Sequence, residues 1–335
     1  MRLSAMGDVA MTVPVLRAFV KQFPGVKLTV VSRPFFKPFF DGIPNVEFFA
    51  FDEKQRHKGF LGLIRLFSDL KKLNVDAFAD LHNVLRSKII GKLFAFSGKQ
   101  AATVDKARAD KKALTRAENK IFRQLPMIYE RHVKVFSELG FVFDLSNPEF
   151  PKKQQLDSGV ISIIGEKNQK WIGIAPFGQH ESKVYPLDLM RKVIEDLSEN
   201  DNYKIFLFGG KNEIEILNSL SNHKNVIVIA GKINFKQELQ LISNLDLMLS
   251  MDSGNAHIAA MLGINVITLW GNTHPFAGFL PFNQPIENAL VSDREKFPKI
   301  PTSVYGNKKV EGYEDVMRTI LPKEVVGKID FVLKH

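Results

Sequence analysis

The run Met251-Asp252-Ser253-Gly254-Asn255-Ala256-His257 has the residue types and spacing to hold an anion. An apolar stretch, residues 245–250, precedes it and reads as a buried strand. A turn of small residues then opens a helix. The first N–H groups of a helix lack intrahelical partners, and the helix dipole puts positive charge at the same place. A phosphate or diphosphate is the natural guest. Gly254 allows close approach, and His257 lies one turn on, on the face of Ser253. The same pattern also serves as an ordinary N-cap, with Asp252 or Ser253 satisfying orphan donors and His257 merely packed. A second corner at the other end of the chain favours the anion.

That corner is Ser4-Ala5-Met6-Gly7-Asp8, followed by Pro14. Gly7 supplies a tight turn and Asp8 stands at a helix N-terminus. The helix field stabilises a carboxylate there, which keeps Asp8 ionised at neutral pH and available as a base. Capping the helix is the structural alternative.

The elements that must position these corners alternate short strand-like runs with longer helical ones, the pattern of parallel α/β layers. In the first half strands are expected over residues 27–32, 46–51, 77–81 and 100–104, with helices over 9–22, 61–73, 85–96 and 127–139. In the second half strands are expected over 171–175, 204–208, 226–229, 245–250 and 265–270, separated by helices over 187–197, 213–221, 236–243 and 256–262. The segment 141–166, with Asn147-Pro148 and Pro151, reads as the link between domains 1–150 and 151–335. The last helix is expected to pack back on the first domain. Two doubly wound domains facing one another would place a ligand between the carboxyl edges of their sheets. Met1-Arg2-Leu3-Ser4 reads as the end of a first strand whose beginning is absent. The expectation is a central strand of only two or three residues with under-paired neighbours.

Composition narrows the chemistry. The 335 residues suffice for two domains, and the absence of cysteine excludes disulfides and thiolate catalysis. Asp8 interrupts the apolar N-terminal run, which argues against an export signal, and no stretch approaches the ~18 apolar residues of a membrane span. Residues 1–155 hold 27 basic and 15 acidic side chains, so the whole net charge of +10 lies in the first half. Lys106, Arg108, Lys111, Lys112, Arg116, Lys120 and Arg123 would present a basic face to phosphorylated lipid, a membrane or nucleic acid, or simply aid solubility. Phe35, Phe36, Phe39 and Phe40 read first as core and second as an apolar foot on a membrane. No stacking aromatics interleave the basic run, which argues against nucleic acid.

The chain resembles glycosyltransferase family 9, the lipopolysaccharide heptosyltransferases. The resemblance rests on Arg2-Leu3-Ser4-Ala5-Met6-Gly7-Asp8 with Pro14, on Asp80-Leu81-His82-Asn83 with Arg86-Ser87, and on Ala175-Pro176-Phe177-Gly178 with Lys183. It continues through Phe208-Gly209-Gly210 with Glu213, Asp252-Ser253-Gly254 with His257, and Gly271-Asn272-Thr273. It implies a GT-B fold of two facing Rossmann-like domains, an N-terminal one for the acceptor and a C-terminal one for the nucleotide sugar. It implies inverting transfer of heptose or a related sugar from an ADP-sugar to a lipopolysaccharide core or lipid A-type acceptor, by a cytoplasmic enzyme peripheral to the inner membrane. Asp8 matches the catalytic base, and Lys183 a catalytic and donor-binding cation. Ser4, Gly7, Gly178, Glu213, Asp252, Ser253, Gly254 and His257 complete the donor-binding set, with Glu215 an alternative to Glu213. His82, Asn83, Arg86 and Ser87 match the acceptor segment. Where the family commonly has Asp-Leu-Gln, this chain has Asp80-Leu81-His82-Asn83, a departure that bears on the acceptor's identity. No Asp-x-Asp pair occurs, so Lys183 and the helix terminus, rather than a metal or other cofactor, are expected to meet the leaving diphosphate. The competing expectations are a sugar-nucleotide epimerase on the same scaffold and a non-catalytic anion-binding protein.

Overall fold

The computed structural model describes residues 1–335, which divide into two compact units. The first comprises residues 1–108 and 126–149, the second residues 109–125 and 150–335. A single boundary at residue 150 was expected; instead the segment 109–125 belongs to the second unit.

In the first unit the elements are α1 (Met6–Ala10), α2 (Thr12–Gln22), β1 (Leu28–Ser32), β2 (Val46–Ala50), α3 (Gly59–Lys71), β3 (Ala77–Asp80), α4 (Leu85–Phe96) and β4 (Gln100–Thr103). Helix α5 (Arg108–Thr115) begins at the boundary, and α6 (Ile128–Glu138) returns to the first unit. β1 pairs in parallel with β2, and β3 with β4. Residues 1–3 run between the two pairs. Arg2 N–H donates to the Val31 carbonyl at 3.1 Å, and the Met1 carbonyl accepts from Leu81 N–H at 3.1 Å. The resulting order, β2-β1-(1–3)-β3-β4, brings every turn that follows a strand to one carboxyl edge. Beneath it lie Leu3, Val31, Phe51, Leu66, Phe78 and Phe94. Phe36, Phe39 and Phe40 are also buried, so of the four phenylalanines only Phe35 is exposed.

His132 on α6 is wholly buried, and burial, with Arg2 as a smaller cause, pushes its pKa down to about 3. The folded chain therefore refuses a proton that the unfolded chain accepts near pH 6.5. Stability should be insensitive to this group above about pH 6.5 and fall by about 1.4 kcal/mol per pH unit below it. Urea unfolding at pH 7 and pH 5 checks this. The His132→Gln variant should lose one proton's share of the slope, and equal slopes would remove His132 from the acid response.

The second unit opens with α7 (Ser158–Ile164), inside the stretch expected as linker, and continues through β5 (Lys170–Ala175), α8 (Leu187–Ser198), β6 (Tyr203–Leu207), α9 (Ile214–Ser219) and β7 (Val226–Val228). Then come α10 (Phe235–Ser243), β8 (Leu247–Met251), α11 (Gly254–Met261), β9 (Asn265–Trp270), β10 (Ala289–Val291) and α12 (Pro322–Lys334). One parallel sheet holds all six strands in the order β10-β9-β8-β5-β6-β7. Helices cover both faces, which is why β8 and the last five residues of β5 are buried throughout and, Ser250 apart, carry no polar side chain. The chain leaves β5 towards one edge and returns at β8 towards the other. Ligands of such sheets bind in the crevice outside the carboxyl ends at that reversal. Helix α12 packs on α8 and buries Val325 and Ile329 in the core of its own unit.

Candidate active site

In the second unit the carboxyl ends of β5 and β8 carry the expected residues side by side. Lys183 Nζ lies 2.7 Å from an Asp252 carboxylate oxygen, both largely buried. Close packing of the loop after β5 makes this possible. A Cβ on Gly178 would stand 3.0 Å from Lys183 Cβ, and one on Gly306 would stand 2.6 Å from Lys183 Cγ. Asp252 thus spends its charge on Lys183. Ser253 is the N-cap residue of α11 but makes no side-chain cap; its hydroxyl meets Ser250 at 2.9 Å. The backbone N–H groups at the start of α11 therefore receive no side-chain oxygen from their own cap. His257 is buried one turn into the helix. Glu213, at the end of the turn after β6, accepts the Gly210 N–H at 2.6 Å, while Glu215 points outward as an exposed side chain. Of the two glutamates, Glu213 is the one placed at the carboxyl edge.

In the first unit Asp8 occupies the third position of α1. It accepts the Ala5 N–H at 3.3 Å and pairs with the buried Arg2 guanidinium, which also donates to the Leu81 carbonyl at 2.7 Å. Capping and ion pairing coexist in one half-buried carboxylate. Ser4 Oγ lies 3.5 Å from His82 Nε2. Burial, then the charges of Arg2 and Lys106, pushes the His82 pKa down to about 3, so its ring is neutral near pH 7. Asp80 shapes the turn that presents His82 and Asn83 by accepting both of their N–H groups at 2.8 Å. Ser87 is fully buried and donates to the other Asp80 oxygen at 2.9 Å. Its hydroxyl therefore positions the turn, where contact with an acceptor was expected. Arg86 is exposed and shares Glu53 with Arg33.

The model of the family described as Glycosyltransferase family 9 (heptosyltransferase) matches residues 63–307, well over half of the chain. The chain belongs to glycosyltransferase family 9. This family 9 chain is 24% identical, over 98% of its length and 94% of the relative's, to the lipopolysaccharide core heptosyltransferase OpsX of Haemophilus influenzae. Among solved structures it resembles a family 9 glycosyltransferase from Veillonella parvula, with a TM-score of 0.75 at 20% identity, covering 99% of this chain and 95% of that one. It also resembles E. coli heptosyltransferase WaaC with ADP, with a TM-score of 0.65 at 18% identity over 99% and 98% of the two chains. At these identities the structures establish the fold: α/β, with two Rossmann-like units of the GT-B class.

Three features of the two units have roles that the sequence did not show. Arg2 holds Asp8, but as a residue of the first strand it gave no sign of reaching the turn. Thr273, one strand over from Asp252, keeps a buried hydroxyl without a partner. The segment 109–125 spends much of its charge on its own unit. Lys111 is buried with Nζ 4.0 Å from the Phe279 ring centroid, Lys120 donates to the Leu114 and Pro301 carbonyls, and Arg123 pairs with Asp110. Lys111 and Lys120 are therefore withdrawn from the basic face expected from Lys106 to Arg123. No helix of the chain is long and apolar enough to cross a membrane.

Proposed function

We propose that the chain is an inverting heptosyltransferase that moves a heptose or related sugar from an ADP-sugar to a lipopolysaccharide core or lipid A-type acceptor, at the cytoplasmic side of the inner membrane. The observation that carries it is the Lys183–Asp252 pair at the topological switch point, next to the N-terminus of α11. That arrangement suits a diphosphate: a cation from one loop and uncapped N–H groups from the next. The solved E. coli relative with ADP and the H. influenzae lipopolysaccharide core enzyme support the nucleotide and the acceptor class. In this proposal Glu213 meets ribose hydroxyls, Gly178 and Gly254 let the donor close in, and Asp252, Ser253 and His257 line the phosphate end. Ser4 and Gly7 shape the turn that sets Asp8 against the reacting sugar. His82, Asn83 and Arg86 face the acceptor, with Ser87 as a positioning residue.

The chemistry is a single displacement. An acceptor hydroxyl oxygen attacks the anomeric carbon from the face opposite the leaving group and loses its proton to Asp8. The bond from that carbon to the diphosphate oxygen breaks, and its electron pair leaves with ADP, whose charge Lys183 and the α11 N–H groups meet. The transition state carries positive charge on the sugar, so every group that gathers the departing negative charge accelerates it.

A thermal-shift panel of ADP-, GDP- and UDP-sugars tests the donor. ADP-heptose should raise the melting temperature by several degrees at concentrations where the other two do nothing, with or without a chelator. A preference for a uridine or guanosine diphosphate sugar would sink the donor assignment. Loss of the shift on chelation would sink metal independence.

A further inference from the structure

The outward face of α3 is apolar where a helix of a soluble unit is ordinarily polar. Phe60, Leu61 and Ile64 fall at helical spacing on that face and are 67, 67 and 45% exposed. Leu63, Leu66 and Leu70 already hold the helix on the core through its other side, so the outer stripe adds nothing to the fold. Helix α4 packs beside α3, with the Phe67 and Phe94 rings 5.1 Å apart. Both helices follow parallel strands, so their first turns lie level with each other at the carboxyl edge that bears His82 and Arg86. Leu85, 75% exposed, stands in the first turn of α4.

The surrounding charge is predominantly positive. Lys58, Arg65, Lys88 and Lys92 are exposed and make no ion pair. The carboxylates of the same stretch are already taken: Asp52 by the N–H groups of Lys54, Gln55 and Arg56, Glu53 by Arg33 and Arg86, and Asp69 by Arg56. A protein partner's docking face usually excludes lysine from its centre, and a second copy of this chain would bring like charges together. An anionic lipid surface fits both features at once.

We propose that this face seats the protein on an anionic phospholipid bilayer. Phe60, Leu61, Ile64 and Leu85 enter the headgroup boundary, and the lysines and Arg65 meet lipid phosphates. The proposal extends the functional reading by giving a lipid-borne acceptor a direct route to the edge that holds His82 and Arg86, and it is tested separately from that reading.

The full chain is sedimented with vesicles of phosphatidylcholine, with and without about 30% phosphatidylglycerol, a charge fraction ample for electrostatic attraction. Partition should favour the anionic vesicles by about tenfold or more and weaken with salt. The Phe60→Ser/Leu61→Ser/Ile64→Ser variant and the Lys58→Glu/Arg65→Glu/Lys88→Glu variant should each lose about tenfold or more, and both should keep the wild-type thermal shift with ADP. Wild-type protein that ignores anionic vesicles, or variants that bind them as wild type does, would overturn the proposal. So would a wild-type dimer that the serine variant converts to monomer. A protein that partitions but transfers no heptose keeps this surface and loses the transferase reading; transfer to a deacylated soluble acceptor without vesicle binding does the reverse.

Discussion

Asp8→Asn is expected to bind ADP-heptose within about twofold of wild type and to transfer the sugar two to four orders of magnitude more slowly. Asparagine keeps the shape of the side chain and can still face the Ala5 N–H, but it cannot take a proton from the acceptor hydroxyl. The more usual Asp8→Ala substitution confounds two effects. Arg2 is only 7% exposed and pairs with Asp8, so alanine leaves a buried guanidinium with the Leu81 carbonyl but no counter-charge. Breaking such a pair costs about 3 kcal/mol or more of stability, and the fold of the turn would suffer with the chemistry. The proper measurement is therefore single-turnover transfer by the asparagine variant, with urea unfolding as the control. Turnover within tenfold of wild type would take Asp8 out of the proton transfer and leave it as the cap of α1.

His82 sharpens this assignment. Its ring lies near Ser4 on the same edge, but burial and the charges of Arg2 and Lys106 keep it neutral near pH 7. A neutral imidazole could also accept a proton. The Asp8→Asn variant, rather than the pH profile, separates the two, because protonation of His82 near pH 3 lies far below any assay range. An activity loss with a midpoint near pH 6.5 would therefore point to another group or to acid unfolding through His132.

The parts of this architecture that were legible in the sequence are those whose signal is local. The apolar run 265–270 is a strand over those very residues, and the helix over 85–96 has its expected bounds, because its caps and its buried stripe lie within the element. Strand β10 has three residues, too few for periodicity to show. Helix α5 gives little local signal because half of the residues in Arg108–Thr115 are charged and few are apolar. Its segment changes unit through contacts such as Lys111 on Phe279, a pairing with no trace in local spacing. The same division holds in the site. Glycine turns and helix starts mark Asp8 and Asp252 as candidates, whereas their cations, Arg2 and Lys183, are fixed by tertiary packing. Ser87 illustrates the opposite error: a hydroxyl one residue from an exposed arginine faces inward, since the helix turns its side chain by about 100° per residue.

Lys183→Ala carries the second large effect, and its cause lies in the pair rather than in the lysine alone. Removing the ammonium takes one positive charge from the leaving diphosphate and also exposes Asp252, at 7% exposure, as an unpaired carboxylate beside it. Both changes act in the same direction. ADP-heptose affinity should fall by about 30-fold or more, equivalent to about 2 kcal/mol, and the rate of transfer by at least a further tenfold, because negative charge on the diphosphate grows in the transition state. The double variant Lys183→Ala/Asp252→Asn distinguishes this account from a simple lost contact. Neutralising Asp252 removes the repulsion and should recover part of the affinity, though little of the rate, since no cation is restored. Calorimetric titration with ADP, which needs no acceptor, measures the first quantity. If the double variant binds ADP no better than Lys183→Ala, the carboxylate contributes no repulsion, and Lys183 acts on the donor independently of its partner.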